Sequence, residues 1–130
     1  MGVFSDDSRE ITCIYNGNDK TDKQTLAYLK ASKKDLLSID ITKQQLTGTQ
    51  WVELSSRLEV NLREIINENE VDGDINDFDI DDCITILREN PKALNGAIVF
   101  IKYKAKQIKN PSTVLDFIDG DSGNIPKPYK

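Results

Sequence analysis

The chain has 130 residues, of which 22 are acidic and 17 basic, and its net charge is -5. This length is typical of one domain that buries a core of its own. The acidic excess argues against direct binding to nucleic acid or to an anionic membrane surface. No apolar run approaches the ~20 residues that a membrane span needs, and the start lacks the basic and apolar regions of an export signal, so we expect a cytoplasmic protein without membrane contact.

Cysteine and histidine usage limits the chemistry further. Cys13 and Cys83 are the only cysteines, and histidine is absent. The lack of histidine removes Cys-His and Ser-His nucleophile pairs and the usual Cys/His zinc sites, so we predict no metal and no cofactor. Cys13 lies in an apolar strand pattern, and Cys83 lies among apolar residues of a helical pattern. Both are predicted to be small buried hydrophobic residues.

The first third of the chain predicts a β-α-β unit. Residues 11–15 form an apolar strand pattern, 16–18 a polar turn, and 21–33 place apolar and small residues at helical spacing. The short branched stretch 36–41 predicts a second strand. Two strands joined through such a crossover run parallel to each other.

The remaining elements predict a mixed sheet. Three helical patterns, two strand patterns and a last short helix follow the opening unit. The order β-α-β-α-α-α-β-β-α is that of an α/β protein with a thioredoxin-like fold, a helical insertion and a mixed four-stranded sheet. The three predicted helices begin after Thr47, Asn61 and Asp79. The two predicted strands occupy 97–103 and 104–109, and the last predicted helix begins at Pro111.

The domain limits follow from the same patterns. Residues 1–10 precede the first strand and are predicted to be an N-terminal extension, and the domain itself is predicted at 11–118. Residues 119–130 are rich in Gly, Pro, Asp and Lys and offer little to bury. We expect them to form a flexible C-terminal tail.

The turn before the first helix has the layout of a thiol redox site, with oxygen in place of sulfur. Asp19 and Asp22 are separated by two residues and occupy the two positions where cysteines are expected. A carboxylate is a poor nucleophile and has no two-electron redox couple, so aspartate cannot substitute for cysteine here. A helix-capping role for Asp19 and a first-turn acid role for Asp22 explain both residues without catalysis.

A run of acids lies between the predicted helices. Residues 64–82 contain no lysine or arginine, and a loop is predicted at about 69–78. Asp72, Asp74 and Asn76 have the spacing of calcium-loop ligands, but the positions of the required glycine and of the last ligand hold other residues. We therefore interpret the run as a solvated acidic loop, with docking on a basic partner surface as the alternative.

Lysines cluster on the predicted hairpin of the last two strands. Their alternation with apolar residues is typical of a half-exposed sheet, and a basic strip for a partner is the alternative. These residues are Lys102, Lys104, Lys106 and Lys109.

Three stretches resemble one protein family. They are 90–99, with Asn-Pro at its start and Asn-Gly-Ala before a strand, 108–112, with Asn-Pro-Ser before the last helix, and 15–29. Together they resemble the glutaredoxin-coupled arsenate reductases and the related Spx-type regulators that bind RNA polymerase. The similarity covers about 11–118 and implies the same thioredoxin-like fold.

The resemblance also implies positions for the reaction centre. Asp19 occupies the position of the cysteine that attacks the oxyanion, and Asp22 that of the second cysteine of Spx-type members. The positions of three oxyanion-binding arginines are occupied by Asn67, Gly96 and Asn110, and the position of the cis-proline by Ala97.

These replacements predict a family member without its reaction centre. Our preferred hypothesis is a binding or regulatory module with an unknown protein partner and no thiol redox activity. One alternative is a divergent reductase dependent on glutathione or glutaredoxin that uses Cys13 or Cys83 at a relocated site. The other is an Spx-like regulator on RNA polymerase. The oligomeric state stays open.

Overall fold

The computed structural model describes residues 10–101 and 104–122, with side chains described through residue 118. Most of the predicted extension at 1–10 and of the predicted tail at 119–130 lies outside the described residues, although the last helix continues to Ser122. The domain limits at 11–118 stay a prediction.

The described residues form four strands and four α-helices, and their order is the predicted one except that a 3-10 turn replaces the helix predicted after Asn61. None of these helices is both long and apolar enough to cross a membrane. The elements are β1 (Glu10–Tyr15), α1 (Lys20–Ala31), β2 (Asp35–Asp40), α2 (Gly48–Leu58), α3 (Ile80–Glu89), β3 (Ala97–Ile101), β4 (Lys104–Ile108) and α4 (Thr113–Ser122).

The strands form one mixed sheet in the order β2-β1-β3-β4. β1 pairs with β2 in parallel and with β3 antiparallel, and β3 pairs with β4 antiparallel. The parallel pair follows from the α1 crossover, and the antiparallel β3–β4 pair follows from their short connection. The predicted α/β thioredoxin-like fold with a mixed four-stranded sheet is confirmed.

Helices cover both faces of this sheet. Side chains alternate between the two faces of a strand, so Cys13 of β1 joins the core formed with α1 and α4, whereas Ile14 joins the core formed with α2 and α3. Cys83 lies in the second core. Both cysteines are free and buried, as predicted, and they lie on opposite faces of the sheet.

The segment between α2 and α3 differs from the predicted helix and loop. The stretch after Asn61 forms one 3-10 turn at Leu62–Ile65, and the predicted loop contains further 3-10 turns at Glu68–Glu70 and Ile75–Asp77. The side chains of Asn67 and Asp74 accept hydrogen bonds from the amides of Asn69 (3.0 Å) and Asn76 (2.9 Å). Such local side-chain bonds compete with α-helix formation and favour short turns.

Candidate functional site

The site begins at the N-terminus of α1, which Asp19 caps. The Asp19 backbone is extended, and its Oδ1 accepts a hydrogen bond from the Thr21 amide at 2.9 Å. This bond uses an amide that would otherwise be available to an anion at the helix N-terminus. The predicted capping role of Asp19 is confirmed.

Asp22 is more deeply placed than a first-turn acid normally is. Its exposed fraction is 0 %, and its Oδ2 accepts a hydrogen bond from the Asn16 amide at 2.9 Å. Its Oδ1 makes no hydrogen bond within the described residues. Burial raises the pKa of Asp22 from 3.8 to about 6, partly offset by the Asn16 amide; the Asp19 charge raises it further and the Ala97 amide lowers it. The Ala97 amide faces the carboxyl without reaching hydrogen-bond geometry.

The carboxylate of Asp22 also affects the nearby thiol. Burial, with the negative charge of Asp22 as the second cause, raises the pKa of Cys13 to about 12. A thiol with this pKa is protonated at neutral pH, and the thiolate is the nucleophilic form. Burial and, to a smaller extent, the Asp22 charge therefore both favour the protonated form of Cys13.

The turn before α1 is held from three sides. The Gly17 amide donates to Asp40 Oδ1 at 2.9 Å, and the Asn16 side chain accepts from the Asn18 amide (2.9 Å) and donates to the Pro91 carbonyl (3.4 Å). A Cβ at Gly17 would fall on the Asp40 carboxylate. Hydrogen bonds thus link the turn to the end of β2 and to the segment before β3.

The hydrogen bonds that Asp40 accepts also affect its pKa. Burial opposes its ionisation, but bonds from the Thr42 hydroxyl (2.7 Å), the Thr42 amide (2.9 Å) and the Gly17 amide outweigh burial. The pKa of Asp40 is consequently lower than usual. Asp40 is a structural carboxylate whose pKa is shifted in the direction opposite to that of Asp22.

Gly96 has a backbone that accepts no side chain. Its φ is +110°, and a Cβ would lie 2.5 Å from the Ile108 carbonyl oxygen. The resemblance places an arginine at this position, whereas the backbone conformation observed here favours glycine and leaves no room for an arginine side chain. The adjacent Ala97, at the cis-proline position, is fully buried, and its peptide bond is trans like all others in the described chain.

The two asparagines at arginine positions both support local turns. Asn67 caps the 3-10 turn that follows it, and Asn110 Oδ1 accepts from the amide (3.4 Å) and hydroxyl (3.2 Å) of Ser112 before α4. The Asn67 amide also donates to the Ala93 carbonyl at 2.8 Å, which brings it beside the segment that leads to Gly96. Oxygen atoms that satisfy backbone amides replace the cationic groups that an oxyanion needs.

The structure brings these positions to one end of the sheet, where β1, β2 and β4 end and β3 begins. Asp22 faces Asn16 and Ala97, Gly96 abuts the end of β4, and Asn67 pairs beside 93–95. Sequence reasoning missed Asn16 and Asp40 as the groups that hold the turn. Their place at the carboxyl ends of two parallel strands was the available signal, since such ends meet at one edge of a sheet.

Comparisons with known proteins support this fold. No family model and no curated protein matches the chain. Among solved structures, an arsenate reductase from Vibrio cholerae matches with a TM-score of 0.67 and 17% identity, covering 85% of this chain and 98% of that one. The chain shares the fold of arsenate reductase-like proteins.

Two further structures agree. A possible arsenate reductase from Streptococcus mutans has a TM-score of 0.60 and 17% identity over 82% of this chain and 98% of its own. An arsenate reductase related protein from Brucella melitensis has a TM-score of 0.62 and 14% identity, covering 85% of this chain and 96% of that one. At these identities the likeness concerns the fold, and activity must be argued from the residues.

Proposed function

We propose that this chain is an arsenate reductase-like thioredoxin-fold protein without thiol redox activity, a cytoplasmic pseudoenzyme that acts as a protein-binding or regulatory module. The burial of Asp22 carries this proposal. Its carboxylate fills the space under the α1 N-terminus where the resemblance places a second cysteine. The partner is a protein of unknown identity, and the acidic balance of the chain argues against direct contact with nucleic acid.

The electrostatics of the site support the loss of reductase chemistry. Arsenate is an anion, and at this helix terminus it would approach the carboxylates of Asp19 and Asp22. The Asp19 side chain already bonds an amide that an anion would use. The stabilisation of developing negative charge, which such a reaction requires, is therefore replaced by repulsion.

A divergent reductase is the less favoured alternative. It needs an exposed thiol of low pKa, whereas Cys13 and Cys83 are 0 % and 1 % exposed. Burial also raises the pKa of Cys83; Arg63 partly offsets this, and Asp82 and Asp79 add to it. Neither thiol meets the requirement.

An Spx-like regulator remains the alternative within the same fold. It agrees with a binding role and adds RNA polymerase as the partner. Capture of polymerase subunits by the purified chain from native lysate, reversed by excess untagged chain, would support it. Recovery of no polymerase subunit would leave the general binding role and remove this alternative.

The direct test is an arsenate reduction assay with glutathione and glutaredoxin as the electron donors. We expect no turnover by the wild-type chain, because it offers no accessible thiolate. Turnover that disappears in Cys13→Ser or Cys83→Ser would refute the proposal and support the divergent reductase. Asp19→Cys, with Asp19→Ser as a capping control without sulfur, measures how far one restored thiol recovers reactivity.

A further inference from the structure

Two cavities that share Phe78 as a lining residue lie in the helical insertion between β2 and β3, and together they are called the groove. Its larger part is a cavity of about 450 Å³, open to solvent, with Val71, Phe78 and Ile86 among its lining residues. Phe78 also lines a cavity of about 200 Å³ between α2 and α3, where Val52 and Ile80 are 42 % and 58 % exposed. Apolar surface concentrated in this way typically marks an interaction site.

One stripe of α3 forms a wall of the larger cavity. Asp82, Thr85, Ile86 and Glu89 all line it and have the spacing of neighbours on one helix face. The stripe covers two helical turns, about 10 Å in length. A partner helix can pack along such a stripe with its side chains between those of α3.

The groove has carboxylates on both sides of its apolar floor. Glu70 and Asp72 line one side and Asp82 and Glu89 the other. Within the described chain, Glu70, Asp72 and Glu89 form no ion pair. These three carboxylates are therefore available to pair with cationic side chains of a partner.

Acidic residues are concentrated in the segment that supplies Glu70, Asp72 and Asp82 to the lining of the larger cavity. Residues 64–82 contain nine acids and no lysine or arginine. Because the whole chain carries -5, the other residues together carry +4. Arg63 lines the smaller cavity and donates to the Asn76 carbonyl (3.3 Å), and Arg88 donates to the Gln45 side chain (3.5 Å). The described lining of the larger cavity contains no lysine or arginine.

The acids are also spread out rather than gathered around one point. No group of three or more described His, Cys, Asp or Glu side chains converges as metal ligands would. Spaced carboxylates beside apolar cavities match spaced cations and apolar side chains on one extended ligand. An amphipathic helix presents that combination, with its apolar face toward the groove.

We infer that this groove binds a basic amphipathic helix of a partner protein. Apolar side chains of the helix enter the two cavities on either side of Phe78, and its lysines or arginines pair with the rim carboxylates. This inference rests on the proposed binding role and gives the chemistry of the partner. Because the pairs are near the surface, binding weakens as the salt concentration rises.

The charge part of the inference is tested by titrating the full chain into a labelled, short amphipathic helical peptide made only of leucine and lysine. The double variant Glu70→Gln, Glu89→Gln should weaken binding about tenfold. The matched control Asp35→Asn, Asp116→Asn removes the same charge from exposed positions outside the groove and should change binding by less than about twofold. Equal weakening by both variants would show non-specific attraction and overturn the inference.

The apolar part is tested at an exposed position that folding does not require. Ile80→Ser should weaken binding of the same peptide about tenfold, whereas the control Leu37→Ser, at an exposed apolar position of β2, should leave it unchanged. Amide NMR shifts on peptide addition should cluster around Val71, Phe78 and Ile86. Shifts that cluster on the lysine-bearing β4 instead would overturn the inference.

The inference about the groove and the proposed function can be refuted independently of each other. A chain that reduces no arsenate and does not bind the peptide refutes the groove and leaves the general binding role. A chain that turns over arsenate refutes the proposed function whatever the peptide does.

Discussion

Asp22 should make the stability of this protein depend on pH in an unusual direction. Its pKa is raised from 3.8 to about 6 in the folded chain, so the folded state holds the proton more tightly than the unfolded state does. The resulting stabilisation is fully present at low pH, below the pKa of the unfolded state, and is lost as pH rises through about 6. Most carboxylates that accept several hydrogen bonds, Asp40 among them, act in the opposite direction.

The size of the effect follows from the pKa change. A rise from 3.8 to about 6 corresponds to about 3 kcal/mol in full, at about 1.36 kcal/mol per pH unit. Between about pH 7.5 and about pH 4.5 the folded protein should gain about 2 kcal/mol from Asp22 alone. Asp22→Asn keeps an oxygen for the Asn16 amide and removes the titration, so it isolates this contribution.

The assay is urea unfolding of wild type and Asp22→Asn at a series of pH values. The difference in unfolding free energy between the two should change by about 2 kcal/mol across that range, with wild type gaining on acidification. Asp40→Asn is the control of opposite sign, since wild type should lose its advantage over that variant as pH falls. A wild-type to Asp22→Asn difference that stays constant with pH would refute the reasoning that burial controls this carboxyl.

Three further predictions concern the same site. Gly96→Ala should destabilise the fold by about 3 kcal/mol, because a Cβ would meet the Ile108 carbonyl in a left-handed backbone. Gly73→Ala has a positive φ but only ordinary contact with the Phe78 ring, so it should cost only about 1 kcal/mol by thermal unfolding. Asp19→Ala should cost about 1 kcal/mol through loss of the cap, and Asp19→Asn should restore most of it; equal losses would contradict the capping role. Cys13 and Cys83 should resist a thiol reagent until urea unfolds the chain, and rapid native labelling of either would contradict their burial.

The geometry around Asp22 and Gly96 leads us to expect that a single substitution gives no reductase activity. Asp19→Cys restores sulfur at the helix terminus, but the buried Asp22 charge still raises the pKa of a nearby thiol, as it does for Cys13. An arginine at position 96 needs a different backbone before it fits. The proposed loss of chemistry therefore rests on the conformation of the site as well as on its residue types.

Local sequence patterns were sufficient for the architecture. Hydrophobic periodicity and helix-capping residues such as Thr47 and Asp79 depend on neighbours within one turn, so they predicted the element order and the thioredoxin-like sheet. Local sequence also predicted that Asp19 caps α1. It failed after Asn61, where the structure has a 3-10 turn at Leu62–Ile65 instead of the predicted helix.

Only the tertiary structure decided what happens to Asp22, Gly96 and the groove. The burial of Asp22 depends on β3 and on the Asn16 turn packing over it, and the φ of Gly96 depends on the close approach of β4. The groove exists because α3 packs beside the preceding segment that contains Glu70, Val71 and Asp72. Sequence determines which groups are present, whereas burial, pKa and cavity shape depend on residues that become neighbours only when distant segments fold together.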